Sequence, residues 1–409
     1  MRPGRNNADK RSELSKAISK SIRRDLRSRH NQIIGQIIEE FAGLKRICNI
    51  RNNGKRNHIS SIQCKDGTVA YNKQDIADVF AEFYEDLYAS RCPEGKGDLL
   101  QPSATDGGDI KRITVSEIKQ QLKIMKKGKA ADKAGVAIEM VQLGSETLLE
   151  VIAELFNQLL FTTCEPPDLW KQSLITVLHK KGDIRCPDNY RPITMLPILY
   201  KLFARILDSR IKFSLEKVQS VDQAGFRKGF GCEDHLFTIV QIIEKMTEYN
   251  RPLWICAIDF RKAFDSVEHH SIWKALASQG VHGTYISLLQ RLYQNQVGKI
   301  ILQKESRSFK LTRGTKQGDP MSPSLFNAVL EDVFGKLKTR WNREGRGLDF
   351  GQRWRLTNLR FADDVLLIAE SRKHLQIMVE ELLVEASAVG LEMHIGNFFY
   401  LKHWGIRAP

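Results

Sequence analysis

The sequence predicts a mixed α/β (α+β) domain behind a basic, mainly helical N-terminal extension. Three observations carry this. Short runs with the two-residue alternation of strands interleave with apolar repeats every three to four residues, the signature of amphipathic helices. Hydrophobic residues make up 42% of the chain, enough for a sizeable core. The two most apolar strand-like runs both end on aspartate: Ile255-Cys256-Ala257-Ile258 precedes Asp259, and Val365-Leu366-Leu367-Ile368 follows Asp363 and Asp364.

Residues 1–60 carry basic clusters such as KSIRRDLRSRH, with Leu14, Ile18, Ile22 and Leu26 at four-residue spacing and Ile33, Ile34, Ile37, Ile38 and Phe41 continuing the stripe. They read as one or two helices with a cationic outer face, either packed on a neighbour or contacting RNA. In 75–88, Ile76, Val79, Phe80, Phe83, Tyr84 and Leu87 share one helical face, which predicts a core helix. Residues 91–111 have no period and read as a linker. Thr114 and Glu117 form a capping-box pattern for a helix over 115–127. Alternation predicts a strand over 170–180, a helix follows over 196–209, and strands are expected at 253–260, 299–303 and 309–311. Ser322 with Pro323 reads as the start of a helix on which Leu325, Val329, Val333 and Leu337 repeat. No internal repeat is visible.

The formal charge of +15 favours polyanionic partners. The seven cysteines, at 48, 64, 92, 164, 186, 232 and 256, form no C-x-x-C pair and no zinc-finger spacing, so reduced thiols in the cytoplasm or nucleus are expected rather than a disulfide framework. No apolar run approaches the roughly 18 residues of a membrane span. The basic N-terminus lacks a signal-peptide core, so neither secretion nor a membrane partner is expected.

A carboxylate buried inside an apolar strand would cost several kcal/mol. At a strand end or hairpin turn it faces solvent while the sheet still holds it rigidly. Asp259, Asp363 and Asp364 are so placed, and hard carboxylate oxygens suit Mg²⁺. Two such ions about 4 Å apart form the usual clamp for in-line phosphoryl transfer. An aspartate pair in a turn is common by itself. It is the ordered set that is specific: NYRPITML at 189–196, WICAIDFRKAFDSV at 254–267, RGTKQGDPMSPSLFN at 313–327 and LRFADDVLLIAE at 359–370.

With these four segments in this order, the chain closely resembles the reverse transcriptases of LINE-type (non-LTR) retrotransposons, from about residue 110 to 393. The resemblance implies a right-hand polymerase with fingers and palm over 111–393, a helical extension and linker over 1–110, and a divergent tail over 394–409. It implies RNA-directed DNA synthesis from dNTPs on an RNA template and a DNA primer. Two Mg²⁺ ions, with Mn²⁺ as a substitute, would be held by Asp259, Asp363 and the carbonyl of Phe260, Asp364 completing the carboxylate triad. Phe264 would pack under the incoming sugar and exclude a 2′-hydroxyl, or serve only as the apolar face of KAFDSV. Arg191 would grip the triphosphate, with Lys180 and Lys181 beside it or serving only as a soluble turn. Gln317 and Gly318 would lie against the nascent base pair. Arg227 and Lys228, in QAGFRKGF, would meet the template. Lys126, Lys127 and Lys129 either meet template phosphates or form a solvated loop.

Five positions depart from the family pattern: Ala134 stands where Asp is common, Phe230 where Arg is frequent, and three more follow the fourth segment. After Gly390-Leu391, His394 stands for Asn, Asn397 for Lys and Phe398 for Thr. The family lysine is thought to protonate the leaving pyrophosphate, and Asn397 has no proton to give, so slow turnover is expected. No thumb or endonuclease segment is recognisable, and the chain reads as a shortened copy. The alternative readings are a catalytically impaired remnant that at most binds nucleic acid, and a basic RNA-binding or scaffold protein that uses mainly residues 1–60.

Overall fold

The computed structural model describes residues 24, 59–92, 110–351, 354–393 and 399–402. By its contacts the chain divides into two units, Met1–Ser60 and Ser61–Pro409. The helices expected over 1–60, most of the linker, and His394, Asn397 and Phe398 lie outside the described residues.

In chain order, the elements that position the site begin with helices α1 (Lys73–Tyr88), α2 (Val115–Ile124) and α3 (Glu146–Phe161). Strands β1 (Gln172–His179) and β2 (Tyr190–Met195) follow, then α4 (Ile198–Val218), α5 (Cys232–Glu248) and β3 (Trp254–Ile258). Helices α6 (His269–Ser278) and α7 (Gly283–Tyr293) lead to β4 (Val297–Ile300) and β5 (Phe309–Lys310). The chain continues through α8 (Ser322–Arg343), β6 (Asn358–Phe361), β7 (Asp364–Ala369), α9 (Arg372–Ala388) and β8 (Phe399–Lys402).

Two four-stranded sheets organise these elements. One runs β2-β1-β4-β5, mixed because β1 and β4 are parallel; the other runs β6-β7-β3-β8, antiparallel throughout. The antiparallel sheet explains its apolar runs, because both of its faces are covered. Cys256, Ile258, Val365, Leu367 and Ala369 join the main core with α8 and α9, whereas Ile255, Leu359 and Ile368 pack with Ile242 and Met246 of α5.

Local boundaries differ from the sequence pattern for identifiable reasons. The strand expected over 253–260 is two strands: β3 ends at Ile258, and Phe260–Arg261 pairs instead with Glu392–Met393. Asp259 stands at the break between the two pairings. Trp170 is buried in a helical turn, Asp168–Lys171, and β1 starts after it. The capping box of α2 is half formed. Thr114 Oγ1 accepts from the Glu117 amide, but the Glu117 carboxylate turns away to take the guanidinium of Arg210 at 2.7–2.8 Å. Ser322 is the first residue of α8 rather than its cap, and its hydroxyl donates to the Lys316 carbonyl at 2.7 Å. The helix α1, expected in the extension, packs on β4 and β5, and its Tyr84 hydroxyl donates to the Tyr190 carbonyl. Among the described residues, no helix is long and apolar enough to cross a membrane.

Candidate active site

The antiparallel register builds the carboxylate group. Val365 pairs with Ile258, so Asp364 and Asp259 are the next residues outward on adjacent strands, and Asp363 sits in the β6–β7 turn beside them. Loss of hydration lifts the carboxyl of the half-buried Asp363, and that of Asp364, whose side chain stays exposed but is crowded by protein, above the usual range; the nearby aspartates add to this, while Lys180 partly offsets it. Crowded anions of this kind are what a divalent cation relieves, so the donor set fits hard metal ions. Among the described residues, only Cys92, Glu268 and His270 bring three ligand atoms within 4.8 Å of one another. That group is already committed. Glu268 accepts from Ser90 Oγ and the Arg91 amide, and the buried Arg313 stands 3.8 Å from it.

A cleft of about 730 Å³ opens in front of the aspartates. Its walls include Lys180, Lys181, Arg191, Asp259, Phe260, Phe264, Gln317, Gly318 and Asp363, nearly the whole set expected from the motifs. The β1–β2 hairpin explains the cationic wall. Leu178 pairs with Arg191, and the Lys180 amide bonds to the Asn189 carbonyl, so the two lysines and Arg191 share one end of the hairpin. Arg191 is exposed because β2 alternates buried and exposed residues. The Thr194 amide donates to the Gln317 carbonyl at 2.8 Å, which ties this sheet to the Gln-Gly-Asp-Pro loop. Gly318, at φ +106°, permits the approach, since a Cβ there would lie 2.9 Å from the Thr194 carbonyl oxygen.

Other expected residues stand elsewhere. Asp364 is exposed and is not part of the cleft wall. Lys126, Lys127 and Lys129 are exposed on the loop after α2, where the Gly128 amide donates to Glu139. Lys228 is exposed. Arg227 is turned inward: its guanidinium bonds Glu216 and the carbonyls of Ser220 and Gln223, and it lies over the Phe230 ring.

Several wall residues were not singled out from the sequence, among them Arg205, Phe226, Lys262 and Asp265. The basic pair Arg261-Lys262, directly after Asp259-Phe260, was a usable signal, and Phe226 stands within QAGFRKGF; nothing local marked Arg205. Lys262 is left-handed at φ +44°, and its ammonium bonds the Tyr190 carbonyl. Asp265 is fully buried between two donors, the Tyr88 hydroxyl and the Gln317 amide, each at 2.7 Å. Burial pushes its carboxyl up to about 7.

A folded-state value above the unfolded one means that the native protein holds a proton the unfolded chain has lost, from about pH 4 to about pH 7. Stability from this group is therefore lost as pH rises through that window. Asp265→Asn, which has no proton to lose, gains on wild type as pH rises from 4.5 to 7. Chemical-denaturation midpoints across the window check this, and a constant difference between the two proteins would contradict it.

Comparison with known proteins shows the family of the chain. The sequence pattern of the family described as reverse transcriptase (RNA-dependent DNA polymerase) matches residues 178–395, just over half of the chain. The Pol polyprotein of the type-1 retrotransposable element R2 from Popillia japonica is 34% identical over 258 residues, covering 62% of this chain and 33% of that protein. The uncharacterised 149 kDa protein of transposon TX1 from Xenopus laevis is 26% identical over 351 residues, covering 83% of this chain and 26% of that protein. The chain thus spans a third or less of these relatives. Among solved structures, apo telomerase from Candida tropicalis aligns with 63% of this chain and 50% of its own at a TM-score of 0.45 and 9% identity. The chain belongs to the reverse transcriptase (RNA-dependent DNA polymerase) family, and the relatives named here are proteins of transposable elements.

Proposed function

We propose that this chain is an RNA-directed DNA polymerase that adds dNTPs to a primer 3′-hydroxyl on an RNA template. The observation that carries the reading is the meeting of Asp259 and Asp363, from adjacent paired strands, with Lys180, Lys181 and Arg191 across one cleft. Divalent ions are general in this family; here Asp259, Asp363, Asp364 and the Phe260 carbonyl would hold two Mg²⁺, or Mn²⁺. Bound there, such ions lower the pKa of an attacking hydroxyl and neutralise a leaving pyrophosphate.

The remaining work falls to side chains. Arg191 grips phosphate oxygens with a planar fork, and Lys180 and Lys181 add point charges. Phe264 occupies the floor under the sugar. Gln317 presents its amide beside the nascent base pair, oriented by Asp265 behind it. The exposed Lys126, Lys127, Lys129 and Lys228 stand where long-range attraction to a template strand is all that is asked of them. The fingers-and-palm unit extends over 111–393 in this reading, with α1 serving as a buttress through Tyr88.

The test is extension of a DNA primer annealed to RNA by the full chain, with and without Mg²⁺. Cation-dependent extension supports the reading. Binding of the hybrid without any extension under Mg²⁺ or Mn²⁺ would favour an impaired remnant instead. Binding itself should be steep in salt and indifferent to sequence. Five phosphate contacts, at about 0.9 counterion each, would weaken affinity by a factor on the order of 500 between about 50 and 200 mM salt. A flat plot of log affinity against log salt would show that the +15 charge does not face nucleic acid.

A further inference from the structure

Ala362, directly before the aspartate pair, is left-handed at φ +58°. An L-residue there carries a penalty of roughly 1–2 kcal/mol, so its surroundings must hold it in place. One side chain takes both polar groups of this residue. Gln223 Oε1 accepts from the Ala362 amide at 2.9 Å, and Gln223 Nε2 donates to the Ala362 carbonyl at 3.3 Å. The same Oε1 also accepts from the Gly225 amide at 2.9 Å. Gln223 is fully buried.

The loop around Gln223 is fixed in turn. The Ala224 amide bonds the Arg360 carbonyl, and the Arg360 amide bonds the Asp222 carbonyl. Asn327 of α8 donates to the Gly225 carbonyl at 2.9 Å. Gly225 presses against the turn so closely that a Cβ would lie 2.2 Å from the Ala362 nitrogen. A neutral carboxamide both accepts and donates across this span; a carboxylate would supply no donor and would place a further anion behind Asp363 and Asp364.

We propose that Gln223 is a positioning residue for the carboxylate turn: its carboxamide clamps the left-handed Ala362 and thereby sets the direction in which Asp363 and Asp364 leave the hairpin. What the carboxylates are for rests on the polymerase reading; the clamp does not. Gln223 and Gly225 therefore act behind the turn, and Arg227, held by Glu216 and two carbonyls, belongs to that support.

The test uses the full chain and two readouts that do not need turnover: hydrogen exchange at the Ala362 amide, and Mn²⁺ binding followed by electron paramagnetic resonance. Gln223→Ala should speed exchange at Ala362 at least tenfold and weaken Mn²⁺ binding at least fivefold. Gln223→Glu, nearly isosteric, keeps the acceptor and should show intermediate exchange, so the test survives if the alanine variant folds poorly. Glycine adopts positive φ freely, so adding Ala362→Gly to Gln223→Ala should restore at least half of the lost Mn²⁺ affinity. Unchanged exchange in both single variants, uniform acceleration across the whole sheet, or no recovery with Ala362→Gly would each overturn the clamp. Should Asp259→Ala and Asp363→Ala bind Mn²⁺ like wild type, the polymerase reading of the carboxylates fails, while exchange at Ala362 still decides the clamp.

Discussion

Asp259→Ala and Asp363→Ala each lower single-turnover primer extension by at least ~10³, a barrier increase of about 4 kcal/mol, without unfolding the protein. The two expectations come from the same geometry. Asp259 stands one residue beyond the β3–β7 pairing, and Asp363 stands in the turn that starts β7. Removing either leaves the strands paired but takes away one side of the clamp. Burial and neighbouring anions hold the Asp363 carboxyl above its usual range, so ionised Asp363 destabilises the fold it sits in. Its loss should leave the melting temperature unchanged or raise it, as functional sites commonly trade stability for chemistry. Extension rates and thermal melts of the same preparations check both halves. An active wild type with a near-fully active alanine variant would end the metal-ligand assignment; a variant that is inactive and also melts early would show a structural aspartate instead.

The site was more legible in the sequence than the elements that carry it. The aspartates were legible by type and placement at strand ends, and Arg191, Phe264 and Gln317 only through the resemblance of their segments to the family. Lys180, Arg191, Asp259, Phe264, Gln317 and Asp363 then meet in one cleft although the sequence separates them by up to 183 positions. Boundaries were less legible because tertiary partners set them. Glu117 carries the right letter for a capping box, yet Arg210 outbids the backbone for its carboxylate. The apolar run at 253–260 looks like one strand, but pairing switches at Asp259 from the central sheet to Glu392–Met393. Gln223 and Asp265 were passed over for a related reason. A buried glutamine that satisfies a turn 139 residues away leaves no local pattern. A carboxylate inside KAFDSV resembles any helical surface residue until Tyr88 and Gln317 are seen to close on it.

Phe264→Ala should raise ribonucleotide use relative to deoxyribonucleotide use by about 10², the scale on which a shaped apolar pocket rejects a single added hydroxyl. The ring is well braced for that role. It stacks on Phe326 with centroids 4.3 Å apart and planes 25° apart, and Phe226 meets its edge at 6.0 Å. The backbone beneath it is pinned as well, since the Thr315 amide and hydroxyl both donate to the Phe264 carbonyl, at 2.7 and 3.0 Å. With ring and backbone held in this way, the expected exclusion of a larger sugar is steric and local. The ring is only partly buried and lines the cleft beside Asp259 and Gln317. Its removal should therefore cost stability near the lower end of the ~3–5 kcal/mol seen for buried phenylalanine. The measurement is the ratio of kcat/KM for a ribonucleotide and its deoxyribonucleotide, in wild type and variant, on one template–primer. A ratio that stays constant while stability falls would assign Phe264 to packing against Phe326 alone. A ratio that shifts because deoxyribonucleotide use collapses, with ribonucleotide use unchanged, would make Phe264 a sugar-binding platform rather than a gate.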